Sequence, residues 1–295
     1  MSRPTDIALT ALAPIVWGSS YFVSTEFLPG APPLTVAALR ALPAGLLLLA
    51  VTRQLPGRDW LGRVAVLGLL NFALFWSALF IAAYRLPGGV AATLGAVQPL
   101  VVLLLAALWL GTPLRLASVL AALAGLFGVG MLILGPEARL DPVGISAALL
   151  GALSMAAGTV LSRRWQPPVP PLSFAAWQLT AGGVLLVPLA LVIDPRLPQM
   201  DAAALGGLLW LGLVGGALTY WAFFRGIAKL GPAAVAGLGF LSPLSAVVLG
   251  WAVLGQGLSP LQAAGAVLVL GSVWLGQKAA APGPKKFRTK FLGRA

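Results

Sequence analysis

The sequence predicts an all-α polytopic membrane protein with ten transmembrane helices, arranged as two inverted five-helix repeats. Three observations predict it. The first is composition: of 295 residues, 59% are apolar and 9% charged, against about 25% charged in a soluble domain. With a mean hydropathy of +0.97, such a chain cannot cover its surface with polar groups. The second is a series of ten apolar segments, each close to the about 20 residues a helix needs to cross a bilayer. The third is an internal repeat at the scale of half the chain. A β-barrel would instead alternate polar and apolar residues along each span.

Charge, Pro or Gly bounds every segment. The first, 7–26, follows the short basic front at Arg3. Its Ala11-Leu12-Ala13 resembles a signal-peptide cleavage site, but the segment has a counterpart later in the chain and is read as a retained span. The second, 34–52, runs from Pro32-Pro33 to Arg53, and the third, 62–83, lies between Arg63 and Arg85. The fourth, 88–110, opens at Gly88-Gly89 and closes at Gly111, and the fifth is 114–135. The sixth, 142–163, lies between Asp141 and Arg164, and the seventh, 172–193, between Pro171 and Asp194. The eighth, 203–224, runs from Asp201 to Arg225, the ninth, 232–254, from Gly231-Pro232 to Gly255, and the tenth, 260–277, ends at Lys278.

The repeat gives this series its order. PPLTVAALR at 32–40 returns as PPLSFAAWQ at 170–178, with 5 of 9 positions identical and an offset of 138 (170 minus 32). LGLLNFALFWSALFIAAYRL at 67–86 returns as LGLVGGALTYWAFFRGIAKL at 211–230, with 8 of 20 identical at an offset of 144 (211 minus 67). Leu94, Gly95, Pro99 and Leu100 then map onto Leu238, Gly239, Pro243 and Leu244. The expected organisation is a first repeat over 1–140, a second over 141–280 and a basic tail over 281–295. Five spans per repeat is an odd number, so the second repeat starts on the opposite side of the membrane and is inverted. Inverted repeats recur in secondary transporters, where exchanging the conformations of the two halves converts one access state into the other.

Positive charges orient the chain. With the N-terminus in the cytoplasm, 15 of the 19 Lys and Arg residues fall on that side, while Arg85, Arg139 and Arg196 fall outside and Arg40 within a span. Both termini are therefore expected inside a bacterial inner membrane. The net charge of +12 is thus mainly a record of topology and not a sign of nucleic acid. The cations of the tail, with Phe287, Phe291 and Leu292 among them, suit an anionic leaflet. The expected partners are a small-molecule substrate and the bilayer, with the protein a monomer or homodimer.

The sequence has no Cys and no His, so thiolate chemistry, imidazole catalysis and the usual metal ligands are excluded, and neither a cofactor nor a metal is expected. An enzyme is disfavoured because no carboxylate pair is placed for acid–base work. The absence of Asp and Glu from mid-span also argues against tight coupling to protons through a membrane carboxylate.

The substrate site is expected among the polar and aromatic residues of the spans. Trp17, Ser20 and Tyr21 lie on the first, Asn71 and Trp76 on the third, and Gln98 on the fourth. Trp177 and Gln178 lie on the seventh, Tyr220 on the eighth and Ser242 on the ninth. Arg40 is the charge deepest within a span. Two readings stand open for it: snorkelling to the headgroups, or holding a substrate carboxylate or an outer gate. Pro99 and Pro243 are equivalent and near-central, and each is expected to kink its helix and free a carbonyl. The kinks are either structural or lie beside the site. The fifth and tenth spans, aliphatic and Gly-rich, are expected at the periphery.

WGSSYF at 17–22, PPLTVAALR, the pair GAVQPL and GFLSPL, and the Gly111 and Gly255 turns resemble the drug/metabolite transporter superfamily, EamA-type. The likeness covers nearly the whole chain and is greatest to bacterial exporters of aromatic amino acids. It implies a ten-helix inner-membrane exporter with a central cavity, and efflux of aromatic or other neutral amino acids and related small metabolites. Another metabolite, such as a nucleoside, a cysteine derivative or a sugar conjugate, is the alternative; a membrane-embedded enzyme is the lesser one.

Overall fold

The computed structural model describes residues 2–86, 88–133, 141–198, 200–255 and 257–281. The side chain of Tyr21, the loop acid Glu137 and nearly all of the basic tail lie outside the described residues. Ten helices long and apolar enough to cross a membrane are present among the described residues: Arg3–Ser24, Pro33–Thr52, Arg58–Ala82, Val90–Leu110, Leu116–Ile133, Pro142–Arg164, Pro171–Ile193, Ala202–Leu230, Pro232–Leu254 and Pro260–Ala279. They are helical because lipid offers no partners for backbone groups, so each span must satisfy its own. Their starts are locally specified. The Asp141 and Asp201 side chains each accept a 2.7 Å bond from the third residue beyond them, and Ser259 with Gln262 forms a reciprocal capping box. The first, third and eighth spans reach further than their apolar cores, taking in flanking charges.

The two halves share their irregularities. The third span widens into a π-helical stretch over Leu69–Ala73, and the eighth does so over Trp210–Leu218, at positions the 144 offset makes equivalent. The fourth span ends its first helical piece at Gly95 and resumes at Gln98, and the ninth stops at Leu238 and resumes at Leu241. The expected kinks at Pro99 and Pro243 are thus breaks two to four residues earlier, closed by tight turns such as Gly239 N–H to the Ala236 carbonyl at 2.9 Å. Gly111 and Gly255 end these spans with left-handed φ of 65° and 64°, a conformation that glycine adopts without strain.

Packing between the halves is reciprocal. A Cβ placed on Gly45 would lie 2.5 Å from Thr180 N, and one on Gly183 would lie 2.7 Å from Leu42 N. Adding 138 to Gly45 gives Gly183, and subtracting it from Thr180 gives Leu42, so each contact is the other's counterpart. The second and seventh spans therefore cross in opposite directions at equivalent residues. The fifth and tenth do likewise, with Gly265 against Leu132 N and Gly276 against Ala121 Cβ. Their Gly-rich faces pack on each other, letting two backbones approach closely.

Polar contacts gather at the end of the bundle that carries the basic residues. Arg225 donates to Asp6 at 2.7 Å, with both side chains 12% exposed. Arg3 reaches the Gln277 carbonyl at 3.2 Å, Arg163 the Ala228 carbonyl, and Arg115 the carbonyls of Ala279 and Ala281. Asp6 and Arg225 thus form a largely buried pair joining the first and eighth spans. At the opposite end, Thr35 donates to the Asp194 carbonyl at 2.8 Å, and Arg85 and Asp141 form a 3.5 Å pair that is largely exposed.

Candidate functional site

Four of the expected site residues meet around one backbone carbonyl. The wide π turn of the eighth span re-aims its backbone, and the Gly215 carbonyl accepts three donors there. These are Trp17 Nε1 at 3.1 Å, Arg40 Nη2 at 3.0 Å and Thr219 Oγ1 at 2.8 Å. Trp17 Nε1 also lies 2.9 Å from Thr219 Oγ1. A Cβ at position 215 would touch the guanidinium, 3.4 Å from Arg40 Nη2.

Rings enclose this carbonyl. Arg40 stacks on Trp76, with its guanidinium carbon 4.5 Å from the ring centre, a cation–π contact that partly replaces lost hydration. Tyr220 is buried, 4.9 Å from Trp17, 4.5 Å from Phe72 and 6.3 Å from Trp76, while Phe223 lies 5.2 Å from Trp17. Tilted and edge-on pairs of this kind are favoured by the ring quadrupoles. Trp17 and Arg40 are themselves only half-buried. Of the two readings open for Arg40, the contacts fit the one in which it belongs to a cluster: its guanidinium bonds a backbone carbonyl and lies over an indole face.

No carboxylate pairs with Arg40 among the described residues. Its Nε is buried and has no hydrogen-bond partner. A guanidinium offers five N–H donors, and Gly215 takes one of them. The cluster is therefore cationic, with spare donors on the guanidinium and rings beside it, suited to an aromatic group that bears an acceptor.

The other expected residues go elsewhere. Asn71 Nδ2 donates to Gln178 Oε1 at 2.8 Å and to Ser162 Oγ at 3.3 Å, in a fully buried clamp joining the third, sixth and seventh spans. Trp177 donates to the Gln54 carbonyl at 2.7 Å near the basic end, with its ring 6.4 Å from Trp60. Gln98 begins the second piece of the broken fourth span and Ser242 is the second residue of that of the ninth, both half-buried. The Ser242 carbonyl would lie 2.5 Å from a Cβ on Gly18, which places it beside the turn that carries Trp17. Ser20 is half-buried on the first span. Pro99 lines a separate shallow cleft between the fourth, fifth, ninth and tenth spans, with Leu103, Phe240 and small residues.

Sequence reasoning missed Phe72, Phe223 and the Gly215 carbonyl. The two rings carry no signal that separates them from packing residues. The carbonyl was reachable, because Gly215 is the repeat counterpart of the polar Asn71.

Comparison with known proteins agrees with this architecture. The EamA-like transporter family matches residues 5–134 and again 142–276. Protein PecM of Dickeya dadantii is 43% identical over 263 residues, covering 88% of each chain. The uncharacterized inner membrane transporter YedA of Escherichia coli K12 is 32% identical over 256 residues, covering 84% of this chain and 82% of YedA. A solved crystal structure superposes with a TM-score of 0.80 over 95% of this chain and 98% of its own, at 23% identity, a likeness of fold. Two family matches spanning both halves, and relatives aligned over most of their length, make this chain a member of the EamA-like transporter family.

Proposed function

We propose that this transporter exports aromatic or other neutral amino acids and related small metabolites. The observation that carries the reading is the Arg40 cluster: a half-buried cation stacked on Trp76, with Trp17 and Tyr220 beside it. Rings can stack on an aromatic substrate, and a guanidinium can hold its carboxylate through two parallel hydrogen bonds.

The transport cycle in this reading is alternating access between two inverted halves. The reciprocal contacts of the second with the seventh span, and of the fifth with the tenth, support that relation. Both termini lie in the cytoplasm of an inner membrane, so the basic end faces inward. The polar contacts gathered there, Asp6–Arg225 above all, support a conformer closed on the cytoplasmic side. Movement follows the substrate gradient without a mid-membrane carboxylate to exchange protons.

Reconstituted proteoliposomes test this. Radiolabelled tryptophan or phenylalanine should exchange with internal unlabelled substrate, and Trp17→Ala should slow that exchange about tenfold or more through lost ring and hydrogen-bond contacts. Failure of every neutral amino acid and aromatic metabolite to exchange would end the proposal.

A further inference from the structure

The hydrogen-bonding polarity of the Arg40 cluster narrows the substrate by charge, and this inference rests on reading that cluster as the substrate site. A zwitterion brings an anion and a cation into the same space. Its carboxylate meets the guanidinium of Arg40, whose buried Nε has no protein partner and whose five N–H groups exceed the one taken by Gly215. Its ammonium needs an acceptor, and the acceptor at hand is the Gly215 carbonyl. That oxygen has two lone pairs, yet already receives Trp17 Nε1, Arg40 Nη2 and Thr219 Oγ1. No carboxylate among the described residues pairs with Arg40. The Trp76 face that would attract an ammonium is occupied by the guanidinium at 4.5 Å, which repels a second cation. We infer that the site selects a net anion, an aromatic carboxylate without an ammonium group, over the corresponding amino acid, and that Arg40 sets this preference.

Three probes on one skeleton separate the charges: 3-phenylpropionate (carboxylate alone), phenylalanine (zwitterion) and phenethylamine (ammonium alone). Their affinities for the full-length detergent-solubilised protein would be measured by calorimetry. The expected order is 3-phenylpropionate tighter than phenylalanine by about tenfold or more, the scale of one lost charged contact, with no binding of phenethylamine. Arg40→Gln should bring the first two within about twofold of each other, and Arg40→Lys should keep the order. If Arg40→Gln does not remain monodisperse, the order on the native protein and on Arg40→Lys decides. Phenylalanine binding as tightly as 3-phenylpropionate, or an unchanged preference in Arg40→Gln, would overturn the inference and leave the aromatic reading standing. Absence of binding by all three would overturn both.

Discussion

Arg40 and Gln178 occupy equivalent positions of the two halves, and each meets the π turn of the opposite half at equivalent residues. Arg40 donates to the Gly215 carbonyl at 3.0 Å, while Gln178 accepts from Asn71 at 2.8 Å; 40 plus 138 gives 178, and 71 plus 144 gives 215. The same contact is thus built twice. In one half it is charged, half-exposed and short of partners. In the other it is neutral and fully buried.

That division predicts opposite mutant phenotypes. Asn71→Ala removes the clamp and leaves Gln178 Oε1 with only the 3.4 Å contact to Ser162. The cost is about 1–3 kcal/mol of stability, as for a buried polar group losing its partner. Thermal denaturation in detergent should show a lowered midpoint, with substrate affinity changed little. Arg40→Gln should do the reverse.

The Asp6–Arg225 pair predicts a second effect. Asp6→Asn leaves a buried guanidinium without its counter-charge, a loss of about 3–5 kcal/mol when a buried pair is broken from one side. Pairing it with Arg225→Gln should recover part of that loss, and the difference between the single and double variants, read from denaturation midpoints, gives the coupling. Additive losses would show that the pair does not hold the first and eighth spans together.

Two glycines predict steric outcomes that differ in sign. At Gly158 a Cβ would fall 2.1 Å from Asn71 Oδ1, so Gly158→Ala should cost about 1–3 kcal/mol, as overpacking does. At Gly271 nothing lies within 4 Å, and Gly271→Ala in the tenth span should be neutral or stabilising by up to about 1 kcal/mol. Parallel thermal melts decide both.

The sequence made the ten spans and the repeat legible because lipid imposes length and apolarity on every helix, and because duplicated strings such as PPLTVAALR and PPLSFAAWQ kept their order. Trp17, Arg40, Trp76 and Tyr220 were legible as unusual residues inside spans, and they do meet. Asn71 and Gln178 were unusual in the same way, yet they bond each other. Polarity marks a need for a partner without saying whether that partner is substrate or protein. The Asp6–Arg225 pair was not legible, because each residue lies near the end of an apolar run, where hydration competes with pairing. The π turns left no mark, since one widened turn needs no special residue. The breaks before Pro99 and Pro243 came early because the chain relaxes into a tight turn before the ring that cannot continue the helix.

A substrate-bound structure tests the central claim most directly. With an aromatic carboxylate added, the ring is expected against Trp17, Trp76 and Tyr220, and the carboxylate within about 3 Å of the Arg40 guanidinium. A ligand seated instead in the cleft lined by Pro99 and Phe240, with Arg40 still bonded only to Gly215, would contradict the account.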